Sequence, residues 1–556
     1  MKVLIIGGVA GGASAAARLR RLDEQAHIIM FERGEYISYA NCGLPYHVGD
    51  VITDRAELLL MTPELMKERH NIDVRVRQEV VAIDRAARTV TVRMLPGEET
   101  YQEGYDRLII ATGSSPLRPP IPGIDSPRIQ TLWTVPDTDR IRQTISSQGI
   151  TTAAVVGGGF IGLEMAENLH LRGIQVTVLE AMDQVMAPID PELAEVLHGE
   201  LRAQGVDLVL SDGVASFEDT GKDVAITLKS GRVVNAQLVI LSIGVRPNSQ
   251  LAKDAGLELN PRGGIVVDRH LRTSDHHIYA VGDVIQVEDL VLGGPAMVPL
   301  AGPANKQGRI AADNIAGAAE VYRGTQGSSV VKLFGLTVGA TGANEKTLQR
   351  LGQVRGKDYD SVLIAQNHHA GYYPGAEGMF IKLLFSADGQ RILGAQIVGG
   401  DGVDKRIDVL ATALRLKATV QDLTELELAY APPYSSAKDP VNMAGFTAQN
   451  VLKGMDAFAP WDALDKEEDA HILDVRDQDE VEEYALPRYT HIPLGQLRDR
   501  LHELPRDKDI IVVCARGVRA HNAARMMKLH GIDRVRIYPG GTDLYWSTHR
   551  PAAAHA

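Results

Sequence analysis

The chain is very poor in cysteine, with only Cys42 and Cys514 among 556 residues. This excludes a disulfide framework and a cysteine-based zinc site, and it is typical of a reducing compartment. Positive charge is also in deficit, because the formal net charge at pH 7 is −13, which disfavours a binder of nucleic acid or anionic membranes. No uncharged apolar run reaches the roughly 18 residues that a membrane span needs. We therefore predict a cytoplasmic protein without membrane or nucleic-acid partners.

The composition is that of an ordinary globular protein. Hydrophobic residues make up 44% and charged residues 23% of the chain. At about 150 residues per domain, the length predicts three or four domains. A chain of this size can bury a large core without disulfide or metal support.

One sequence pattern occurs twice in the first half of the chain. Each copy has a short apolar strand, a glycine-rich turn, a helix, and a second strand that ends in an acid. The first copy runs from Val3 to Glu32 and the second from Ala153 to Glu180. The offset of about 150 residues indicates two βαβ nucleotide-binding domains in tandem.

The second copy has a complete dinucleotide fingerprint, although a tight turn in an ordinary α/β domain is the alternative. Its glycines let the backbone approach a pyrophosphate at a helix N-terminus. Glu180 can accept from both ribose hydroxyls and would repel a 2′-phosphate, and no arginine follows it closely, so we predict NADH rather than NADPH. The predicted NADH-binding residues are Gly157, Gly159, Ile161, Gly162, Glu180 and Gly244.

The first copy is less regular, because Val9 occupies the second glycine position. Glu32 in the ribose-binding position and the acid of the Ile278–Asp283 segment support a dinucleotide site nevertheless. Two such sites predict a resident FAD and a visiting NADH, with hydride passing between stacked rings. The predicted FAD-binding residues are Gly7, Gly8, Gly12, Glu32, Arg33, Val80, Ala111, Thr112, Gly113, Asp283 and Ala301.

Cys42 lies in the segment Ser38–Tyr46, shortly after the strand that ends at Glu32. A thiol with a pKa near 8.5 is only about 3% thiolate at pH 7, so a catalytic cysteine must be made more acidic by its surroundings. The residue five positions further on is His47, so no internal disulfide forms here. We predict that Cys42 exchanges with a substrate sulfur or is oxidised to a sulfenic acid. A buried inert cysteine is the alternative.

Cys514 ends the apolar strand Ile510–Val513 and opens a loop directly before a helix. Inward backbone N–H groups, the helix dipole, Arg516 and Arg519 would favour a thiolate or a terminal persulfide. Five residues between cysteine and arginine would indicate phosphate-ester chemistry, whereas the four found here make a tighter ring that suits a sulfur atom. We predict sulfur transfer, with a phosphatase and an inert thiol as alternatives.

Histidines and tyrosines give weaker signals. His368 and His369 have no carboxylate or cysteine partners at metal-ligand spacing, so we predict no metal site and interpret them as a surface or interface pair. Tyr372 and Tyr430 lie beside glycine and proline residues, a setting typical of packing or interface positions. Their role stays open on the residues alone.

The strand and helix patterns predict an α/β chain with several domains. Two Rossmann-like domains bind FAD and NAD, an α+β domain follows, and a small α/β domain ends the chain. The predicted boundaries are 1–120 with 270–327 for the FAD domain, 121–269 for the NAD domain, 328–446 for the α+β domain, 447–461 for a linker, and 462–550 for the last domain.

Specific motifs carry a family resemblance. Residues 1 to about 446 resemble the coenzyme A-disulfide reductase branch of the pyridine-nucleotide disulfide oxidoreductases, through the segments Gly7–Gly12, Asn41–Tyr46 and Ala429–Ser435. Residues of about 462 to 550 resemble a rhodanese domain, through Leu473–Arg476 and the six-residue Cys514 loop. The fusion resembles coenzyme A-disulfide reductase–rhodanese proteins, which include NADH-dependent persulfide reductases.

The resemblance implies an FAD-containing homodimer that acts on coenzyme A, with the α+β domain of residues 328–446 as its dimerisation domain. It implies that Tyr372 and Tyr430 reach the Cys42 site from the other subunit and assist the leaving thiol. Related NADH oxidases and peroxidases usually have a histidine at the position of Ala10, so its absence argues against peroxide or oxygen as substrate. The residues expected to hold substrate are Arg18, Arg21, Ser38 and Asn41 near Cys42, and Arg516 and Arg519 near Cys514.

We therefore predict an FAD-dependent, NADH-linked reductase of coenzyme A persulfide, polysulfide or coenzyme A disulfide. Cys42 is its single redox cysteine, and Cys514 carries sulfane sulfur, which the pantetheine arm of coenzyme A delivers to Cys42. The alternatives are an NADH oxidase or peroxidase that cycles Cys42 through sulfenic acid, and a sulfur carrier or redox sensor with little turnover. A further alternative is a rhodanese domain that acts independently as a thiosulfate sulfurtransferase.

Overall fold

The computed structural model describes residues 1–549, so residue 550 of the predicted last domain lies outside the described residues. Its contacts divide the chain into two compact units. The first comprises residues 1–183 and 209–327, and the second comprises residues 184–208 and the chain from residue 328 onward. Among the described residues, no helix has the length and apolar character needed to cross a bilayer.

The first stretch of the first unit supplies most of one parallel sheet. Its elements are β1 (Lys2–Ile6), α1 (Ala10–Leu22), β2 (His27–Glu32), α2 (Leu44–Val48), α3 (Pro63–His70), β3 (Asp73–Val76), β4 (Gln78–Asp84), β5 (Thr89–Met94), β6 (Thr100–Gly104), β7 (Arg107–Ile110) and β8 (Ser114–Pro116). A short 3₁₀ turn, Asn41–Gly43, precedes α2 and contains Cys42.

The following stretch of the chain repeats the parallel arrangement and returns to the first sheet, although its residues 184–208 belong to the second unit. Its elements are β9 (Ile129–Gln130), α4 (Val135–Gln148), β10 (Thr152–Val156), α5 (Phe160–Leu171), β11 (Gln175–Leu179), α6 (Pro191–Ala203), β12 (Asp207–Val209), β13 (Val214–Asp219), β14 (Val224–Leu228), β15 (Val233–Ala236), β16 (Leu238–Leu241), β17 (Val245–Pro247), α7 (Gln250–Asp254), β18 (Ile278–Ala280), β19 (Val287–Glu288), β20 (Pro295–Ala296) and α8 (Ala301–Ile315).

Two five-stranded sheets place the glycine turns. Their strand orders are β18-β7-β1-β2-β3 and β12-β11-β10-β16-β9. The strands β1 and β10 lie centrally and pair in parallel on both sides. Their continuous apolar runs are buried on both faces, as parallel strands require. The two βαβ units that the sequence predicts are therefore confirmed.

The second unit contains an antiparallel sheet with helices packed on it. Its first elements are β21 (Ser329–Leu333), β22 (Leu336–Gly342), α9 (Glu345–Arg350), β23 (Tyr359–Asn367), β24 (Gly378–Ser386), β25 (Ile392–Gly399), α10 (Val403–Arg415), α11 (Val420–Glu425) and α12 (Pro440–Leu452). The strand order is β21-β22-β25-β24-β23. Helix α6, from residues 184–208, belongs to this unit and contacts β25.

The last part of the chain forms a small parallel sheet with helices. Its elements are α13 (Ala463–Lys466), β26 (His471–Asp474), α14 (Gln478–Glu483), β27 (Thr490–His491), α15 (Leu494–Arg500), β28 (Ile510–Val513), α16 (Val518–Leu529), β29 (Val535–Ile537) and α17 (Gly541–Thr548). The strand order is β27-β26-β28-β29. The mixed α/β fold class is confirmed.

The interval 447–461, predicted as a linker, is structured in the second unit. Its first residues complete helix α12, which ends at Leu452. Further on, the N–H of Ile537 donates to the Ala457 carbonyl oxygen (2.8 Å), and the N–H of Ala459 donates to the Ile537 carbonyl oxygen (2.9 Å). This segment therefore lies along the edge of the four-stranded sheet beside β29. The predicted domain boundaries stay predictions.

A buried cation holds three parts of the second unit together. The Lys382 ammonium on β24 contacts the carboxylates of Asp190 (2.9 Å), Glu192 (2.5 Å) and Glu345 (2.6 Å), and only 3% of its side chain is exposed. These contacts keep the pKa of Lys382 above its ordinary value against the opposing effect of burial, and they help to lower the pKa of Asp190. Without the ammonium, three carboxylates would face one another in a buried site.

We expect Lys382→Met to destabilise the second unit by about 3–5 kcal/mol, because it leaves buried charges uncompensated. The loss should shrink as pH falls from about 8 to about 5, since protonation then removes the uncompensated negative charge. Chemical unfolding monitored by fluorescence at both pH values measures the effect. Lys357→Met, in an exposed turn of the same unit, is the matched control. An unfolding midpoint for Lys382→Met equal to that of the control would contradict the prediction.

Candidate functional site

The two glycine turns are built in the same way. In the first, the Gly8 N–H donates to Glu32 Oε2 (3.0 Å), and in the second, the Gly158 N–H donates to Glu180 Oε2 (2.7 Å). Each carboxylate accepts a second backbone N–H two residues after itself, from Gly34 (2.8 Å) and from Met182 (2.9 Å). The acid that ends each strand is therefore fixed beside its glycine turn.

The glycines at these turns leave no room for side chains. Gly7 and Gly157 have φ of +104° and +105°, in the region that favours glycine. A Cβ on Gly12 would lie 1.9 Å from the Gly7 carbonyl oxygen, and one on Gly162 would lie 1.9 Å from the Gly157 oxygen. Close contact of helix and turn thus requires glycine at both ends of each motif.

The residues present fit two dinucleotides. A Cβ added at Gly159 would meet no protein atom within 4 Å, which leaves an open approach at the N-terminus of α5 for a pyrophosphate. At the end of β18, Asp283 accepts from Ser114 Oγ (2.7 Å), and burial raises its pKa. Glu32 and Glu180 stand where the ribose hydroxyls of FAD and NADH would be recognised.

The other predicted dinucleotide residues lie mostly around the same sheet ends. Ala111, Thr112 and Gly113 follow β7, and the Ala111 carbonyl oxygen lies where a Cβ on Gly7 would point. Half-buried Ile161 lies in the first turn of α5, and Ala301 begins α8. Of the remaining predicted residues, Arg33 is exposed and Val80 is buried in the core. Gly244 has a positive φ.

Cys42 is exposed and has no disulfide partner, because the other cysteine, Cys514, is also free. Its segment is tied to the first glycine turn by the Ser38 N–H, which donates to the Gly8 carbonyl oxygen (2.8 Å). Although the side chain is exposed to solvent, desolvation by the protein around it, and secondly the charge of Glu164, raise the pKa of the Cys42 thiol. The groups of the polypeptide therefore do not make this thiol more acidic, and the expectation that its surroundings do so stays a prediction for the site with FAD bound.

The helix that follows the second glycine turn carries a protonatable group that the sequence analysis missed. Glu164 on α5 accepts a hydrogen bond from the Tyr46 hydroxyl (3.2 Å), four residues beyond Cys42. Burial raises the pKa of Glu164 to about 7, and the nearby Glu167 acts in the same direction. An acid shortly after the last glycine of the motif is the only sequence signal for it.

His47 and the paired histidines are structural. The His47 ring is buried, and its Nδ1 lies 2.6 Å from the Ile52 carbonyl oxygen. His368 and His369 are buried in the second unit, and His369 packs edge-on against the Tyr373 ring. The interpretation of the pair as surface residues is therefore wrong, whereas the alternative of an interface pair stays a prediction. Among residues 1–549, no group of three histidine, cysteine or acidic side chains is arranged to hold a metal.

The predicted substrate residues of the first unit differ in their surroundings. Arg18 on α1 forms an ion pair with Asp313 (2.7 Å), and both line a cavity of about 410 Å³ together with Arg309. Arg21 is exposed at the end of α1. The half-buried Ser38 and Asn41 lie in the Cys42 segment. Arg309 and Asp313, both on α8, were missed because they are remote from Arg18 in sequence.

Tyr372 and Tyr430 meet in the second unit. Their hydroxyl oxygens are 2.9 Å apart, although 58 positions separate them in sequence. The side chains are exposed, Tyr372 by 76% and Tyr430 by 47%. The contact with Tyr430 raises the pKa of Tyr372. Two adjacent exposed phenols can present donors to a thiolate that leaves from another molecule.

The Cys514 loop holds its sulfur by backbone donors. Cys514 is buried, and its Sγ accepts from the N–H of Gly517 (3.1 Å) and of Ala520 (3.3 Å) at the start of α16. Gly541 backs the loop, since a Cβ there would lie 2.3 Å from the Cys514 carbonyl oxygen. This arrangement stabilises a negative sulfur, as the sequence predicts for sulfur transfer.

The two arginines of the loop are engaged by other residues. Arg516 contacts Asp543 (2.6 Å) and Asn367 (2.6 Å), and Arg519 contacts Glu480 (2.6 Å) and Asp477 (3.0 Å). The hydrogen bond to Glu480 is the main cause of the raised pKa of Arg519, and the nearby charge of Cys514 is a minor one. Their predicted role in holding substrate stays a prediction.

Fold and site define a class: an oxidoreductase with two dinucleotide sites and one exposed cysteine without a disulfide partner, followed in the chain by a loop whose N–H groups donate to a second cysteine. Residues 1–308 match the pyridine nucleotide-disulphide oxidoreductase family, residues 328–440 match its dimerisation domain, and residues 461–548 match the rhodanese-like domain. The chain belongs to the pyridine nucleotide-disulphide oxidoreductase family and carries a rhodanese-like domain.

Individual relatives extend over most of the chain. A coenzyme A disulfide reductase from Staphylococcus haemolyticus is 36% identical over 451 residues, which are 81% of this chain and 100% of that protein. The crystal structure of reduced Bacillus anthracis CoADR-RHD is similar with 50% identity and a TM-score of 0.94, over 98% of both chains. A NAD-dependent persulfide reductase from A. fulgidus is similar with 38% identity and a TM-score of 0.93, over 98% of this chain and 100% of that one.

We expect Glu164→Gln to lower the pKa of the Cys42 thiol, because it removes a negative charge that disfavours the thiolate. The rate of Cys42 alkylation by iodoacetamide, followed against pH in a Cys514→Ser background, measures that pKa. Glu57→Gln, an exposed acid near Cys42 in sequence, is the control. The prediction fails if the alkylation profile of Glu164→Gln coincides with that of the control.

Proposed function

We propose that this protein is an FAD-dependent reductase that uses NADH to reduce coenzyme A persulfide, polysulfide or coenzyme A disulfide. The observation that carries the proposal is the exposed Cys42, which has no partner cysteine in its own chain. A disulfide reductase of this construction must take its second sulfur from the substrate. The similarity to coenzyme A disulfide reductases and to a persulfide reductase supports this substrate class.

The chemistry at Cys42 follows from its isolation. Bound FAD would accept hydride from NADH and deliver two electrons to sulfur. Cys42 thiolate attacks the sulfur–sulfur bond of the substrate, and the thiol part of the substrate leaves. The two electrons then cleave the new sulfur–sulfur bond at Cys42, which releases sulfide or a second thiol and restores the thiolate. For a persulfide, NADH and one proton give NAD⁺, a thiol and hydrogen sulfide.

Glu164 is a candidate proton donor at this site. Its pKa of about 7 means that both protonation states are populated near neutral pH. The Tyr46 hydroxyl links it to the Cys42 segment. A protonated Glu164 permits the Cys42 thiolate, whereas an ionised Glu164 opposes it, so the two negative charges alternate.

Coenzyme A would be held from the first unit and from a second subunit. Arg18 and Arg309 line the 410 Å³ cavity together with Asp313 and Glu320, so the phosphates would bind them by displacing Asp313 from its ion pairs. Arg21 is exposed at the end of the same helix as Arg18. Ser38 and Asn41 would face the arm near Cys42. The dimerisation domain supports a homodimer, in which Tyr372 and Tyr430 of one subunit would donate to the thiolate that leaves at the other.

The rhodanese-like domain adds a second sulfur carrier. Cys514 would accept sulfane sulfur at its two backbone donors and pass it to the coenzyme A thiol. The pantetheine arm would then bring the persulfide to Cys42. No other cysteine exists in the chain to connect the two centres.

We expect Cys42→Ser to lower NADH oxidation with coenzyme A persulfide or disulfide by at least about a thousandfold, because no other thiol can attack the substrate. FAD should stay bound and reducible by NADH, as its visible spectrum would show. Cys514→Ser should retain coenzyme A disulfide reduction but lose turnover that begins from a sulfane donor and free coenzyme A. Full activity of Cys42→Ser would overturn the proposal, and unchanged turnover of every donor by Cys514→Ser would overturn the relay alone.

The tyrosine pair allows a test of the shared site. We expect Tyr372→Phe with Tyr430→Phe to lower kcat by about tenfold to a hundredfold, because two donors to the leaving thiolate are lost. Subunits with this double change, mixed with Cys42→Ser subunits, should regain activity, since one of the two sites then has intact tyrosines and an intact Cys42. Tyr434→Phe, a nearby exposed tyrosine, is the control. Mixed dimers that stay inactive would place the tyrosines and Cys42 of one site in the same subunit.

A further inference from the structure

The charges around Cys514 point to a particular kind of sulfur donor. We propose that the Cys514 centre takes sulfane sulfur from alkyl persulfides with at most one negative charge at the sulfur end, and that it discriminates against the thiosulfate dianion. The reason is that acidic side chains of this chain already form ion pairs with both arginines of its loop. The inference rests on the proposed function and deepens it by naming the donor of its rhodanese centre.

Two hydrogen bonds within the second unit already use N–H donors of Arg516, which a bound anion would otherwise accept. Its Nε donates to Asp543 Oδ2 (2.6 Å), at the start of α17. Its Nη1 donates to Asn367 Oδ1 (2.6 Å), at the end of β23. One guanidinium group thus serves both an acid beside the loop and an amide of the dimerisation domain.

Arg519 forms ion pairs with two carboxylates, whereas Arg516 forms an ion pair with one. Its Nη2 donates to Glu480 Oε1 (2.6 Å), and its Nη1 donates to Asp477 Oδ2 (3.0 Å) and also to Glu480. Glu480 is fixed in turn, because it accepts from the Asp477 N–H in the capping box of α14. The Glu480 pKa is lowered, chiefly by the hydrogen bond from Arg519, so the carboxylate stays charged near neutral pH.

The sum of these charges is unfavourable for a dianion. Two guanidinium groups face three carboxylates, those of Asp477, Glu480 and Asp543. A third arginine at the carboxyl end of the sheet, Arg476, is buried in an ion pair with Asp474 (2.7 Å). A dianionic donor would therefore have to displace a carboxylate to gain a cation.

The donors that remain suit one negative charge. The N–H groups of Gly517 and Ala520 point at Sγ and can stabilise a thiolate or a terminal persulfide without a net positive charge. Val518, at the start of α16, is 57% exposed and offers an apolar surface beside the loop. An uncharged arm that ends in a persulfide meets both features.

The transfer balances for either donor. With an alkyl persulfide, the Cys514 sulfur attacks the terminal sulfur, the sulfur–sulfur bond of the donor breaks, and the alkyl thiolate leaves with the bonding electrons. With thiosulfate, the same attack would release sulfite. In both cases one neutral sulfur atom moves and Cys514 becomes a persulfide, so only the charge of donor and leaving group differs.

The test measures sulfur loading of Cys514 in the full-length flavoprotein. A Cys42→Ser background leaves Cys514 as the only thiol. The protein is mixed with pantetheine persulfide or with thiosulfate at equal concentration, without NADH, and quenched samples are weighed by intact-protein mass spectrometry for the gain of one sulfur atom. Glu480→Gln and Asp543→Asn each remove one neutralising charge. Glu483→Gln, an exposed acid of α14 outside both ion pairs, is the matched control.

We expect the parent protein to load at least about tenfold faster from pantetheine persulfide than from thiosulfate. Glu480→Gln or Asp543→Asn should raise the rate with thiosulfate relative to the rate with the persulfide by about tenfold, because a guanidinium becomes available to the dianion. The ratio corrects for partial loss of folded protein, and either variant alone decides if the other fails to fold. The Glu483→Gln ratio should equal that of the parent.

Equal or faster loading from thiosulfate in the parent protein would overturn the inference. So would an unchanged ratio in the folded Glu480→Gln and Asp543→Asn variants, or an equal rise in Glu483→Gln. The proposed function fails separately, through retained activity of Cys42→Ser in the NADH assay. A failure confined to the loading ratio removes only the assignment of the donor.

Discussion

The carboxylate that ends a strand and binds the adjacent glycine turn is the contact on which the first unit depends. It occurs once through Glu32 and once through Glu180, in nearly the same geometry. Each turn also supports part of the candidate site around Cys42. The Cys42 segment is hydrogen-bonded to the first turn through the Ser38 N–H, and the helix that carries Glu164 begins at the second turn. The environment of the Cys42 sulfur is therefore set by two copies of one backbone arrangement.

Local signals in the sequence predict this framework well. A short apolar run followed by glycines has few alternatives to a buried parallel strand and a tight turn, and β1 and β10 adopt that arrangement. The loop of Cys514 follows the same logic, because the strand before it and the helix after it direct its N–H groups to the sulfur. Where function depends on backbone groups near in sequence, the residues alone suffice.

Contacts between side chains that are remote in sequence could not be predicted in this way. Tyr46 and Glu164 are 118 positions apart, and Arg516 and Asn367 are 149 apart. No periodicity or spacing encodes such a pair, since it depends on how packed elements meet. For this reason the sequence analysis anticipated neither the charge of Glu164 near Cys42 nor the contact of Arg516 with Asn367. The predicted role of Arg516 in holding substrate stays a prediction.

The two sulfurs consequently depend on different sources of stabilisation. The anion at Cys514 is supported by N–H dipoles of its own loop, which are present whether or not any cofactor is bound. At Cys42 the polypeptide opposes the anion through burial and Glu164, so a thiolate there requires help from the bound cofactor or protonation of that acid. Under the proposed function, sulfur would be stored at Cys514 independently of reduction, while Cys42 would become reactive only with electrons and a proton in place. This electrostatic difference would separate sulfur capture from sulfur reduction within one chain.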